Sequence, residues 1–176
     1  MLTVTNTNDA PAFTSTAVTA VDEDAAYSYT AAASDDDGDT VTLVGTTIPA
    51  WMTFDATTGA LTGTPTNAEV GSHAVVITAT DTNSASTTDS FTVVVANTND
   101  APTVASALSD ATIAEDSAYS LDVSGMCTDV DVGDTMTYTM SGNPSTLSIA
   151  SGIISGTPPV SYTHLTLPTK VGGLVW

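Results

Sequence analysis

The six-residue string Asn-Thr-Asn-Asp-Ala-Pro occurs twice, at positions 6–11 and 97–102, so its two copies start 91 residues apart. That spacing is close to the length of one small β-sandwich domain. A polar, acidic string that ends in proline and recurs at domain length indicates a linker between tandem modules. Its side-chain oxygens are also the ligands that a hard cation such as calcium prefers.

Further matches between the two halves of the chain support an internal repeat. Three groups of residues in the first half return in the same order in the second half. Their offsets drift by a few residues, which indicates small loop insertions around a fixed order of strands. The matched groups are Glu23, Asp24 and Tyr27 with Glu115, Asp116 and Tyr119; the acidic stretch 35–40 with 129–135; and the turn 59–65 with 152–158.

The repeat predicts four segments. Residues 1–9 are expected to be the end of a preceding repeat plus a linker, with a last strand at residues 1–5. Residues 10–100 form a complete module, and residues 101–159 form a second module that lacks its last strands. Residues 160–176 break the repeat, and we interpret them as a non-homologous, non-native tail because the composition shifts there.

Composition predicts an all-β fold. Hydrophobic residues make up 41% of the chain but aromatic residues only 6%, so the core must be largely aliphatic. Thr and Val favour strands, and no stretch shows a helical apolar period with caps. The strands expected in the first module are 27–32, 40–44, 52–54, 60–62, 73–80 and 90–96. The expected core residues are Trp51, Phe54, Leu61, Val76 and Phe91, with Leu147 and Ile154 in the second module.

The charge of the chain is its most extreme property. There are 20 acidic residues and one basic residue, Lys170, which gives a net charge of −19. Nucleic acid is excluded as a partner because nothing neutralises phosphates, and contact with an anionic membrane surface is excluded for the same reason. The acids fit two interpretations equally well: a solvated surface, or clusters of metal ligands.

Cysteine and hydropathy give weaker constraints. Cys127 is the only cysteine, so the chain can form no internal disulfide. No apolar run is long enough to span a bilayer, and no basic segment follows Met1. We expect any export signal or membrane anchor to lie outside this segment.

The residue inventory argues against an enzyme. Neither acidic loop has the Gly and Glu spacing of an EF-hand, and the string Gly63 to Pro65 is a turn rather than a phosphate-binding loop. A glycosidase with paired acids would need aromatic and basic partners that the chain lacks. A hydrolytic triad would need a catalytic histidine. His73 is better explained as a half-buried strand residue, and His164 lies in the tail.

The strings IPAWMTFDATTGALTGTPTNAEVGSHAVVITATD and FTVVVANTNDAP carry a family resemblance. The chain resembles the cadherin-like extracellular repeats, especially the dystroglycan-type cadherin-like and bacterial putative-Ig modules. The resemblance covers residues 6–102 and, more weakly, 103–158. It implies tandem Ig-like or cadherin-like β-sandwiches with the second one truncated.

In the cadherin family, calcium binds at the junctions between modules. The resemblance therefore implies one to three calcium ions per junction. The family's first linker Asp is Asn in this chain, which should weaken binding, and Glu69 is the nearest acid to a family D-R-E segment that is absent. The implied ligands are Asn6, Asn8, Asp9, Glu23, Asp35, Asp37, Glu69, Asp81, Asn97, Asn99, Asp100, Asp129 and Asp131.

The resemblance also implies a function and a location. It indicates a calcium-binding segment of a bacterial surface or secreted protein that acts as a stiffened spacer or in cell adhesion, outside the cell. Its partners would be neighbouring repeats of the same chain and a surface protein or glycan ligand, without direct membrane contact. The alternative is a carbohydrate-binding or accessory module of a secreted enzyme, which would present Trp51 to solvent.

Overall fold

The computed structural model is built of β-strands and turns, which confirms the predicted all-β class. The chain divides into two compact units, Met1–Thr98 (unit 1) and Asn99–Trp176 (unit 2), so the division falls inside the second copy of the linker string. Within the part of the chain that the structure describes, no helix is long and apolar enough to cross a membrane. The described residues are 1–109, 111–141, 143, 145–159 and 171–173.

Unit 1 contains nine strands and one short 3-10 helix, Asn67–Glu69. The strands are β1 Ala12–Phe13, β2 Ala20–Asp22, β3 Tyr27–Thr30, β4 Ala33–Ser34, β5 Thr42–Thr47, β6 Met52–Asp55, β7 Ala60–Gly63, β8 Gly71–Thr80 and β9 Ser86–Ala96. The main sheet has the order β2-β9-β8-β5, and a second sheet has the order β3-β7-β6. Strand β2 runs parallel to β9, whereas β8 and β9 form a long antiparallel hairpin.

The core of unit 1 lies between these two sheets. Along β8 and β9 more buried residues alternate with more exposed ones, in keeping with the two-residue period of a strand, and the fully buried positions are Val75, Ile77, Ala79, Val93 and Val95. The buried residues of β8 and β9 therefore face the inner side chains of β3, β6 and β7. The core cluster consists of Tyr27, Tyr29, Ala31, Met52, Leu61, Val75, Ile77 and Val93.

The predicted core of unit 1 is right at Leu61, which is 0% exposed. Trp51, Phe54 and Phe91 are partly buried and pack against the core cluster. Val76 was predicted wrongly, because it lies on the opposite face of β8 from its fully buried neighbours on either side. An unbroken Val-Val-Ile run does not reveal which face of a strand turns inward.

Seven residues of the unit-1 core cluster were missing from the predicted core, and two of them, Tyr27 and Tyr29, are aromatic. Tyr27 and Tyr29 alternate with exposed polar residues along β3, so both rings lie on the buried face of the strand. The Tyr27 hydroxyl donates to the carbonyl of Val18 at 2.8 Å, and the Tyr29 hydroxyl lies 2.8 Å from the Ser15 hydroxyl. These bonds satisfy the polar ends of the two rings, so the aromatic bodies can be buried at little cost.

Unit 2 repeats part of this plan. Its described strands are β10 Thr103–Val104, β11 Tyr119–Asp122, β12 Cys127–Thr128, β13 Met136–Tyr138, β14 Leu147–Ala150, β15 Ile153–Gly156 and β16 Val171–Gly173. The three-stranded sheet β11-β15-β14 has the same order as β3-β7-β6, and Tyr119 pairs with Gly156 as Tyr27 pairs with Gly63. The predicted core residues Leu147 and Ile154 are both 2% exposed, which confirms them.

The sequence prediction is wrong for the first end segment, and the structure describes only part of the last end segment. Residues 1–5 form no strand, so the expected last strand of a preceding repeat is not formed in this structure. A strand needs a neighbour to satisfy its backbone groups, and residues 1–5 are exposed without a ladder partner. Of the segment 160–176, which was expected to be a non-native tail, residues 171–173 pair with β13 and the others lie outside the described residues.

Candidate metal centre

Three segments of unit 1 bring polar side chains together at one end of the β8–β9 hairpin. They are the first copy of the linker string, the loop between β4 and β5, and the turn between β8 and β9. The chain order alone would not predict this meeting, because the linker and the turn are more than seventy residues apart in sequence. We call their polar residues the unit-1 cluster: Asn6, Asn8, Asp9, Asp35, Asp37, Asp39, Asp81 and Asn83.

Asp37 ties the linker to the β4–β5 loop. Its Oδ2 accepts from the backbone amide of Asp9 at 2.7 Å, and its Oδ1 accepts from the Asn6 side chain at 2.8 Å. These two bonds, the Asp9 amide first, hold the pKa of Asp37 below its usual value, because both donors favour the charged carboxylate. The linker is therefore held by a charged acceptor on the module.

Asp81 ties the linker to the β8–β9 turn. It is 6% exposed, and its Oδ2 accepts from the Asn8 side chain at 2.8 Å. Its Oδ1 accepts from the backbone amides of Asn83 and Ala85 at 2.9 and 2.8 Å. The Asn8 amide is the largest cause that lowers the pKa of Asp81, and desolvation opposes it. A nearly buried carboxylate is thus kept charged by neutral donors.

Asp35 has one oxygen without a donor. Its Oδ1 accepts from the backbone amides of Asp37 and Asp39 at 2.9 and 3.3 Å. Its Oδ2 is buried and has no hydrogen-bond partner among the described residues. An unsatisfied buried polar atom costs about 1–3 kcal/mol, and more when it is charged. A cation is the partner that would best satisfy such an oxygen.

The second unsatisfied carboxylate of unit 1 is Glu23, at the other end of the hairpin. Glu23 is 3% exposed, and its Oε1 accepts from the backbone amide of Thr98 at 2.5 Å. Its Oε2 is buried without a partner among the described residues. The backbone amide of Glu23 donates to the carbonyl of Ala96, which fixes the side chain beside the end of β9.

Glu69 and Asn97 occupy the same region of unit 1. The Oε2 of Glu69 accepts from the hydroxyl and the amide of Thr66 at 2.7 and 2.8 Å, so this carboxylate caps the 3-10 helix. The Thr66 hydroxyl is the first cause that lowers the pKa of Glu69. The Oδ1 of Asn97 accepts from the side chain of Asn67 at 3.2 Å. Metal binding by Glu69 or Asn97 stays a prediction.

Unit 2 contains a copy of the linker-to-loop contact. The backbone amide of Asp100 donates to the Oδ2 of Asp131 at 2.6 Å, and the amide of Asp131 donates to the Oδ1 of Asp129 at 3.0 Å. Side-chain oxygens of Asp129, Asp131 and Asp134 lie within 4.8 Å of one another. The Asn99 side chain donates to the carbonyl of Asp100 at 2.7 Å, as Asn8 donates to the carbonyl of Asp9.

The predicted ligands therefore fall into three places. Six of them meet in the unit-1 cluster, three lie at the other end of the unit-1 hairpin, and four lie in unit 2. Sequence reasoning missed Asn67, Asp39, Asn83 and Asp134 as members of these groups. Asp39 and Asp134 carried a signal, because they occur at matching places in the repeated acidic loops. The amides of Asn67 and Asn83 carried none, because nothing in the sequence places them beside the linkers.

The chemistry of the donors fits a hard cation. The candidate ligands are carboxylate, amide and backbone oxygens, with no sulfur or imidazole among them, and calcium takes six to eight such oxygens. The two buried carboxylate oxygens without partners, one at each end of unit 1, are the structural sign that charge compensation is missing. Within the described residues, however, no three acids of the unit-1 cluster lie within ligand distance of one another.

The surroundings of Trp51 and His73 bear on the alternative functions. Trp51 is half-buried and packs edge-on against Tyr27 and His73, so it does not form an exposed platform for a sugar. His73 is a half-buried residue of β8, as predicted, and its Nε2 lies 2.6 Å from the carbonyl of Glu69. His164 lies outside the described residues.

The chain matches the family model described as Putative Ig domain, at residues 10–96 and again at residues 101–171. No curated protein matches the chain. Solved structures with similar folds include human protocadherin-24 EC1-2, with a TM-score of 0.53, 19% identity, and coverage of 88% of this chain and 80% of that one. Protocadherin Gamma B7 extracellular cadherin domains 1-4 give a TM-score of 0.53, 22% identity, and coverage of 86% and 41%.

Some solved structures with weaker similarity are enzymes. An endo-fucoidan hydrolase of glycoside hydrolase family 107 gives a TM-score of 0.42 and 22% identity over 85% of this chain. The chain spans only 24% of that hydrolase. At this TM-score the likeness supports no functional argument. The protocadherin matches show the fold alone, namely a tandem of Ig-like or cadherin-like β-sandwiches.

Proposed function

The chain belongs to the Putative Ig domain family, and from this membership and the arrangement of its linkers we propose that it is a calcium-binding spacer segment of an extracellular protein. The observation that carries the proposal is the meeting of three segments in the unit-1 cluster, which includes Asp35 with an Oδ2 that has no donor among the described residues. Ig-like and cadherin-like modules are typically extracellular, which agrees with the proposed location at the cell surface or in a secreted protein. Within the family, the string from Trp51 to Pro65 favours the dystroglycan-type cadherin-like modules.

The residues of unit 1 define what calcium would do there. Asp35, Asp37 and Asp81 would supply charged oxygens, and Glu23 would supply one at the other end of the unit. Bound calcium would supply positive charge that offsets the repulsion between these carboxylates. The linker already contacts the β4–β5 loop through the backbone amide of Asp9. Neutralising the acids of the cluster would therefore hold the linker more firmly and stiffen the junction.

The proposed partners follow from the same arrangement. Neighbouring repeats of the same chain would each carry a linker string and an acidic loop, and so would extend the array. A surface protein or a glycan would be the adhesive target, and this segment would not contact a membrane or nucleic acid. We propose a binding and spacing role rather than catalysis, since the acids of the cluster act as hydrogen-bond acceptors for the linker.

Isothermal titration calorimetry with calcium tests the proposal. We expect uptake at millimolar or lower calcium, with Asp35→Asn weakening it by about tenfold because the variant removes one charged ligand. Asp36→Asn is the matched control, because Asp36 lies in the same loop, is exposed and makes the same charge change. Absence of heat with wild-type protein at millimolar calcium would reject the proposal, as would equal losses in the two variants.

A further inference from the structure

One carboxamide joins all three segments of the unit-1 cluster. The Nδ2 of Asn83, in the β8–β9 turn, donates to the Oδ1 of Asn8 in the linker at 2.6 Å. The same Nδ2 donates to the Oδ2 of Asp39 in the β4–β5 loop at 2.6 Å. A carboxamide nitrogen has two hydrogens to donate, so these two bonds account for both.

The bond from Asn83 also fixes which way the Asn8 side chain points. Because the Oδ1 of Asn8 accepts from Asn83, its Nδ2 faces the other side and donates to Asp81 at 2.8 Å. The same Nδ2 lies 3.0 Å from the carbonyl of Asp9. Both ends of the Asn8 amide are therefore engaged, and the carboxylates of Asp39 and Asp81 are connected through two neutral amides.

The turn holds Asn83 in place for this contact. The backbone amide of Asn83 donates to the Oδ1 of Asp81 at 2.9 Å, and the backbone amide of Asp81 donates to the carbonyl of Ala85 at 3.0 Å. Ser84 follows with a φ of 75°, in the left-handed region that closes the turn. The backbone bonds of the turn do not depend on the Asn83 side chain, so the two can be separated by mutation.

We propose that Asn83 is a positioning residue that fastens the first linker to the β4–β5 loop and the β8–β9 turn without any cation. Its amide and that of Asn8 form what we call the amide clamp, which joins acidic groups that would otherwise repel one another. This goes beyond the proposed function, because it concerns the protein in the absence of calcium.

The test is amide hydrogen exchange of the full-length chain in EDTA, read by NMR at the Asp9 amide. Removing the clamp in Asn83→Ala costs two hydrogen bonds, so we expect Asp9 to exchange about five- to tenfold faster than in wild type. Asn8→Ala also removes the bond to Asp81, so it should accelerate Asp9 exchange at least as much. The double variant should show less than the sum of the two single effects, because both substitutions remove the bond between the two amides. Thr82→Ala, in the same turn and exposed, is the matched control and should leave Asp9 unchanged.

Two further readouts separate positioning from folding. The Ala85 amide donates to Asp81 independently of the Asn83 side chain, so its exchange should stay at the wild-type rate in Asn83→Ala if the turn remains formed. The Ile77 amide, in the core of β8, reports on the whole unit. Asp9 exchange within twofold of wild type would overturn the proposal, and so would equal acceleration at Asp9, Ala85 and Ile77. Because the buffer contains EDTA, a failure of calcium binding would leave this result untouched.

Discussion

At the scale of single residues, hydrogen-bond donors favour the charged form of two acids in the unit-1 cluster. Asp37 and Asp81 both have pKa values below their usual range, because amides of the linker and the turn donate to them. The family resemblance, rather than the residues alone, indicated which acids lie near the linkers, and metal binding by these acids stays a prediction. The sequence could not predict which carboxylate oxygen stays without a donor, since that depends on how three distant segments meet.

The lowered pKa of Asp37 predicts how the linker responds to acid. A carboxyl group whose folded pKa is depressed stabilises the fold fully above its unfolded pKa of about 3.9, and loses that contribution as the pH falls through the folded value. We therefore expect urea stability to fall between pH 6 and pH 2.5 by more in wild type than in Asp37→Asn. Asp36→Asn should lose as much as wild type. The prediction is wrong if the two variants show the same dependence on pH.

At the scale of elements, strand β8 shows both the reach and the limit of sequence reasoning. A strand from His73 to Thr80 was predicted, and the observed strand extends from Gly71 to Thr80. Its inward face was predicted wrongly at Val76, because three consecutive apolar residues fit either face. The partner strand settles the matter: β9 alternates clearly around Val93 and Val95, and the hairpin register carries that alternation to β8.

Val75 and Val76 offer a matched pair of substitutions in this strand. Val75 is 0% exposed in the core, whereas Val76 is partly exposed on the other face. Val75→Ala should lower the free energy of unfolding by about 2 kcal/mol, because it removes two buried methyl groups and leaves a cavity. Val76→Ala should cost less than about 1 kcal/mol. Urea denaturation measures both changes in the free energy of unfolding. Equal losses in the two variants would contradict the assignment of Val75, and not Val76, to the core face of β8.

At the scale of the whole chain, the described parts of the two units share one plan. The shared three-stranded sheet and the repeated contact between linker and acidic loop recur in both, as the internal repeat predicted. Unit 1 has in addition a four-stranded sheet built on the β8–β9 hairpin. In the described part of unit 2, strands outside the three-stranded sheet pair only in twos.

Limited proteolysis tests this inequality. We expect the first cuts within residues 103–176 and later cuts within 13–96, because local opening is easier where strands have fewer paired neighbours, as in the described part of unit 2. Thermolysin or chymotrypsin is the suitable protease, because the chain has a single basic residue for trypsin. Mass spectrometry of the early fragments identifies the sites. Early cleavage within residues 13–96 would contradict the prediction.

The parallel pairing of β2 with β9 has a mechanical consequence. These strands lie near opposite ends of the unit-1 sequence, and they share three register pairs from Ala20–Val94 to Asp22–Ala96. Tension applied between the two linker strings would pull such strands lengthwise past each other. Their hydrogen bonds would then bear the load together instead of opening one after another, as they do when an antiparallel hairpin is peeled from its ends. Unit 1 is thus built to resist stretching along the direction in which its chain enters and leaves.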